Sequence, residues 1–239
     1  MPICVHCSFP TTQLINTYGK DHIILNQCTN CKEFCDPYLE QDGIIIFIDL
    51  VLHKSSVYRH LIFNNLDYCE IGFQSVILRL GLLITIFNVY LKWYQIELYC
   101  LNNNCNILEG FNHFWLYCLI LSFSIIEYLT YILSIVVAVY FLIPTNIKLF
   151  KYNYVIITII ISSFSKLLLI AIVIWNYHQI EFSWLLTLLS WTSNFVALKT
   201  FLQFNNIKVL LIIIIGLIGK YFINWYIINY VLGLNELTV

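Results

Sequence analysis

The chain has 239 residues, of which 60% are hydrophobic and only 10% charged, with a formal net charge of −1. Soluble domains carry about 25% charged residues. The composition, with a mean hydropathy of +0.81, therefore excludes an ordinary soluble globule and implies a polytopic membrane protein with a small polar head. A near-zero net charge leaves no basic surplus for nucleic acid.

Met1–Asp42 forms a polar N-terminal arm. It holds two CxxC knuckles, Cys4-Val5-His6-Cys7 and Cys28-Thr29-Asn30-Cys31, separated by 20 residues. Each knuckle turns two thiolates toward one point, and two knuckles complete a tetrahedral sulfur cage suited to structural Zn²⁺. An arm this small has too little apolar surface to fold without a metal. Cys35, His6 and His22 are alternate ligands by position, but four cysteines already close such a site. Nine cysteines would suit a disulfide scaffold, yet four stand as metal knuckles, which persist in a reducing compartment. Met1–Phe9 has neither a basic n-region nor an apolar h-region, so the arm is not expected to be translocated by a signal of its own.

Ile23-Ile24-Leu25 reads as a short strand leading into the second knuckle, as in a zinc ribbon. Gly43 opens the run Ile44–Leu52, apolar apart from Asp49 and too short to cross a bilayer. It reads as a helix or strand packed on the arm in the membrane interface. Ser55-Ser56 is placed to cap a second short helix carrying Tyr58, Arg59, His60 and Asn64. Two readings stand for these four residues: a structural role, or contact with lipid headgroups. Arg59 suits a forked contact to a phosphate, or to a carboxylate such as Asp42 or Asp49.

Five membrane-spanning helices are expected next: Ile71–Leu91, Phe114–Ile143, Tyr154–Trp175, Trp184–Leu202 and Lys208–Leu232. Pro144 stops the second. Gly216, Gly219 and Lys220 interrupt the fifth. Trp93, Trp115, Trp175 and Trp184 fall at span ends, where amphipathic rings favour the interface. With the arm cytosolic, Lys148, Lys151, Lys199 and Lys208 lie on the cytosolic side, against Lys92 alone opposite. Five spans then put the C-terminus in the lumen. Cys100 and Cys105 share the expected lumenal loop, either as a disulfide or as two free thiols.

Arg79, Glu127, Lys166 and Lys220 fall well inside these spans. Charges there are costly, so they are expected to face the bundle interior and pair. One account is a single ion pair with two snorkelling bases. The other is a cationic pocket for an anionic lipid headgroup. Scattered single charges do not make a nucleophile–base–orienter set, so the chain is not expected to be an enzyme.

The fold class is thus mainly α, with about five transmembrane helices (67–239) behind a small zinc-ribbon-like domain (1–66). The knuckles, then Asp36-Pro37-Tyr38-Leu39-Glu40-Gln41-Asp42, Ile44–Leu52 and Tyr58-Arg59-His60-Leu61-Ile62-Phe63-Asn64, resemble the Arv homology domain over Ile3–Asn64. Pro37 stands where that family usually has a basic residue. The resemblance implies an endoplasmic-reticulum membrane protein, with the Golgi membrane as a second location. It also implies a role in sterol and sphingolipid homeostasis and sterol transport. Its implied partners are membrane lipids and lipid-synthesis enzymes, including those of glycosylphosphatidylinositol precursor assembly. A lipid-handling protein and an adaptor for such enzymes are the two resulting hypotheses, the first preferred.

Overall fold

A computed structural model describes residues 2–18, 22–65, 75–103, 113–142, 152–168, 179–227 and 229. The arm begins with a two-stranded antiparallel hairpin, β1 (Ile15–Tyr18) and β2 (His22–Leu25), in a register that pairs Ile15 with Leu25 and Thr17 with Ile23. The strand expected before the second knuckle is β2. A short 3₁₀ turn, Pro37–Leu39, starts where the Asp36 carboxylate accepts from the Tyr38 N–H, and Pro37 takes the first-turn position that needs no donor.

The apolar run after Gly43 folds as helix α1 (Gly43–Val51). It is followed by α2 (Ser55–Arg59), which continues as one π-helical turn over His60–Asn64. Ser55 and Ser56 do not cap α2. Lys54 holds the N-cap position, without a side-chain cap, and the Ser56 hydroxyl bonds the Tyr38 hydroxyl at 2.9 Å instead.

The body contains α3 (Ser75–Asn103), α4 (His113–Leu142), α5 (Tyr152–Ser162, continued by a 3₁₀ segment Ser163–Leu168), α6 (Gln179–Leu202) and α7 (Asn206–Tyr226). Among the described residues four helices are long and apolar enough to cross a membrane: Ser75–Tyr94, Phe114–Leu142, Trp184–Leu202 and Asn206–Tyr226. The span expected at Tyr154–Trp175 is described only as the shorter apolar stretch Asn153–Leu168, and its remainder lies outside the described residues. Residues 71–74, 143, Pro144, Lys148, Lys151, Trp175, 228 and 230–232 of the other expected features also lie outside them, as does Cys105. Cys100, expected in a loop, falls within α3, with its side chain outside the description.

The expected interruption of the last span is not found. Helix α7 runs unbroken through Gly216 and Gly219, because both glycines face α4 at close range. A Cβ on Gly216 would stand 2.6 Å from Ile135 Cγ1, and one on Gly219 would collide with the Ser134 hydroxyl. Glycine spacing of this kind lets two backbones approach in lipid.

The arm and the body share one hydrophobic core. Val5, Tyr38, Leu50, Val57, Tyr58 and Ile62 pack in the same cluster as Ile77, Ile84, Ile160, Phe164 and Ala197.

Candidate metal centre and its connector

Both knuckles are built by the same backbone pattern. The Ser8 N–H bonds the Cys4 carbonyl and the Cys4 N–H the Phe9 carbonyl, each at 2.9 Å. In the second, the Lys32 N–H bonds the Cys28 carbonyl at 2.9 Å and the Cys28 N–H the Glu33 carbonyl at 2.8 Å. Each turn ends on a residue with positive φ directly after its second cysteine: Ser8 at 64° and Lys32 at 63°. That left-handed residue reverses the chain while both thiols stay on the inner side.

The result is one group of four sulfurs, on Cys4, Cys7, Cys28 and Cys31, all within 4.8 Å of one another. Tetrahedral metal–thiolate bonds of about 2.3 Å require sulfur–sulfur edges of about 3.8 Å. The Cys4–Cys31 and Cys7–Cys28 pairs stand at 3.7 and 3.6 Å. The donor set and its spacing fit a metal ion held by four thiolates. Burial pushes the Cys4 thiol up to about 12. At Cys7 burial acts in the same direction, but hydrogen bonding from the Phe9 backbone and the Asn30 side chain outweighs it and lowers the thiol to about 6. Cys35 is buried beside Cys4 and Cys28 but stands outside the four-sulfur group, and His6 is exposed. The His22 side chain lies outside the description.

Tyr58, Arg59, His60 and Asn64 connect this centre to the membrane helices. The Asn64 side-chain amide pairs with both backbone groups of Ile3, accepting from its N–H and donating to its carbonyl, each at 2.9 Å. Arg59 Nη1 donates to the carbonyls of Val5 at 2.6 Å and His6 at 3.0 Å. It thus holds the loop of the first knuckle, and the carboxylates of Asp42 and Asp49 are not its partners. Asp49 instead pairs with Lys54 at 2.7 Å and accepts from the Tyr38 hydroxyl at 2.9 Å. Burial lowers the Arg59 guanidinium, and the neighbouring charges of Cys4 and Cys7 oppose that shift. A cation beside the knuckle would offset the net negative charge of a metal ion held by four thiolates.

His60 Nδ1 lies 2.7 Å from Asp36 Oδ2, and Asn64 Nδ2 donates to the same oxygen at 2.7 Å. Asp36 is fully buried and had no role assigned from sequence. The signal was the Asp36-Pro37 pair itself, a side-chain-capped turn start. Tyr58 is fully buried, with its hydroxyl 2.8 Å from Ser193 Oγ on α6. Sequence reading had no means to pair these two, 135 residues apart.

The four charged residues expected as an intramembrane cluster divide differently. Glu127 pairs with Lys92 and with Lys220, the latter at 3.2 Å. Lys166 lies over the Tyr128 ring at 5.5 Å. Arg79 is exposed, and no ion pair is found for it among the described residues. Its place one turn into α3 leaves its long stem free to reach outward. Lys92, assigned from sequence to a loop, takes its place because α3 continues to Asn103.

A family model described as the Arv1-like family matches residues 3–198. The likeness thus reaches well past the 3–64 segment that carried the resemblance in sequence. The chain is 32% identical over 229 residues to "Protein arv1 homolog" of Dictyostelium discoideum, covering 91% of this chain and 92% of the relative. It is 30% identical over 200 residues to "Protein ARV 2" of Arabidopsis thaliana, covering 82% of each. With "Protein ARV1" of Homo sapiens it shares 26% identity over 218 residues, 90% of this chain and 78% of the relative. No solved structure matches the chain.

Proposed function

This chain belongs to the Arv1-like family, and on that premise we propose that it is a non-enzymatic mediator of sterol and sphingolipid homeostasis in the endoplasmic-reticulum membrane. Family membership over most of the chain is the observation that carries this reading. The metal is structural Zn²⁺, held by Cys4, Cys7, Cys28 and Cys31 with no coordination position left open for chemistry. The arm faces the cytosol, a reducing compartment where zinc thiolates persist.

A groove of about 550 Å³ between α3 and α4 supports lipid handling. Val89, Trp93, Phe114, Tyr117 and Leu121 line it, and Glu97 supplies a carboxylate. Trp93 and Tyr117 stack there, with ring centroids 4.0 Å apart. Aromatic walls with a few polar groups suit a flat apolar molecule bearing a hydroxyl.

The test is transfer of a fluorescent sterol between donor and acceptor vesicles by the purified protein. Transfer that falls when Leu121→Trp fills the groove supports the proposal. Absence of transfer, with co-purification of a glycosylphosphatidylinositol-precursor enzyme, replaces it with the adaptor reading.

A further inference from the structure

We infer that α1 and α2 form a re-entrant membrane hairpin, with its turn near the bilayer midplane and the exposed face of α1 in contact with lipid hydrocarbon. Four contacts order the hairpin along the membrane helices. Phe63 stacks on Phe201, with centroids 5.9 Å apart, near the Leu202 end of α6. Tyr58 bonds Ser193 at 2.8 Å. The His53 ring, in the turn between α1 and α2, stands 3.1 Å from the Thr192 hydroxyl and 3.3 Å from the Leu189 carbonyl oxygen. Phe47 of α1 meets Phe164 edge to face at 6.3 Å, beyond the end of α5. Residues 53, 58 and 63 thus follow α6 in step from residues 189–192 to 201.

At about 1.5 Å per residue, Leu189 and Thr192 lie about 15–20 Å from the Leu202 end of their helix. The hydrocarbon core is about 30 Å thick, so the turn sits near its middle. A helix lying flat in the interface does not reach that level.

The chemistry of the hairpin suits that depth. Non-helical backbone inside a membrane needs every polar group satisfied by protein. The turn keeps three of its N–H groups bonded within the protein: Leu52 N–H bonds Ile48, His53 N–H bonds Leu50, and Lys54 N–H bonds Asp49. The ion pair found at the turn among the described residues, Asp49–Lys54, is closed at 2.7 Å, with Asp49 also accepting from Tyr38 and the Lys54 side chain 53% exposed. On the outward side Ile44, Ile45, Ile48 and Leu52 are exposed, Leu52 at 62%. This face continues the exposed apolar surface of the spans, which includes Leu185 and Leu188 of α6. That continuity identifies its occupant as lipid. The polar run Glu40-Gln41-Asp42 precedes α1 and places the hairpin's entry at the surface. The arm closes its mouth through Arg59 on Val5 and His6, His60 on Asp36, and Asn64 on Ile3.

The test uses the full chain in phosphatidylcholine vesicles, with a small fluorescent amino acid at Ile44, Ile48 or Leu52. The vesicles contain lipids brominated either near the headgroup or deep in the acyl chain. Each labelled protein is first checked for wild-type metal content and a single size. The deep quencher should remove more signal than the shallow one at Leu52, the order should reverse at Ile44, and Ile48 should fall between. Stronger shallow quenching at all three positions overturns the hairpin in favour of a flat interfacial helix. Quenching by aqueous iodide alone, or protection from both lipids with crosslinking to a second copy, equally overturns it. The outcome is independent of sterol transfer, so it separates this inference from the lipid-handling reading.

Discussion

Arg59 Nη1 donates to the Val5 carbonyl at 2.6 Å, across 54 residues of chain, and so ties the first metal knuckle to the helix that packs on α6. Val5 is fully buried in the core that holds Tyr58, Ile84 and Phe164. The four-cysteine group is consequently tied to the helical body. Order in the knuckles and order in the Tyr58–Asn64 segment depend on each other.

The first prediction follows from the sulfur geometry. The purified chain should carry one Zn²⁺, read by elemental analysis, and Cys28→Ser should lose it. Structural zinc contributes roughly 10–16 kcal/mol of apparent binding energy in small domains, so its loss should unfold the arm. Protease cleavage should then appear within 2–42 while the body stays inserted. Because the ligands must be deprotonated, acid should release the metal and alkali should not. A metal-free wild-type arm that resists protease would refute this.

The second prediction concerns Arg59. Lysine supplies one charged donor group in place of a planar fork, and it reaches the two knuckle carbonyls less well. Arg59→Lys should retain metal with weakened affinity, and Arg59→Ala should weaken it further. Competition with a chromogenic chelator measures both. Because Asp49 bonds Lys54 and Tyr38 and not Arg59, Asp49→Ala should leave metal affinity near wild type. Equal affinity in Arg59→Ala and wild type would show that the contact does not support the knuckle.

The four-cysteine group was legible in sequence because its geometry is local: each CxxC turn places two thiols within four residues. Helical spans were legible for the same reason, since their apolar length is a property of contiguous chain. Partners were not. Asp36 reads as a turn residue until His60 and Asn64 fold over it. Lys92 reads as a loop lysine until α3 is seen to continue past it and face Glu127. Gly216 and Gly219 read as helix breakers because propensity counts backbone entropy alone, whereas the approach of α4 is a tertiary fact.

The third prediction tests that approach. Gly216→Val forces a branched side chain into Ile135 and Tyr131, which already stand 2.6 and 3.2 Å from a Cβ at that position. Overpacking of this kind costs about 1–3 kcal/mol. Gly81→Ala is the matched control, because its Cβ would meet nothing nearer than 4.0 Å. In detergent, Gly216→Val should lower the midpoint of thermal unfolding and Gly81→Ala should not. Equal midpoints would mean that α4 and α7 do not pack through this glycine.

The fourth prediction separates the charges around Glu127. Its carboxylate serves two lysines, Lys92 and Lys220, whereas each lysine has only that acid among the described residues. Removing the acid therefore leaves two cations without compensation, and removing one lysine leaves an ion pair intact. Breaking a buried pair costs about 3–5 kcal/mol when a charge is stranded. Glu127 is 7% exposed, so Glu127→Ala should approach that range. Lys220→Leu leaves Glu127 paired with Lys92, so it should cost less than Glu127→Ala. Lys92→Leu should resemble it, since the acid keeps Lys220. Restoring stability to Glu127→Ala by adding Lys220→Leu would establish that the cost lies in the stranded cation and not in a lost cavity. If a triple variant that also carries Lys92→Leu is as unstable as Glu127→Ala, packing accounts for the effect and the ion pairs contribute little.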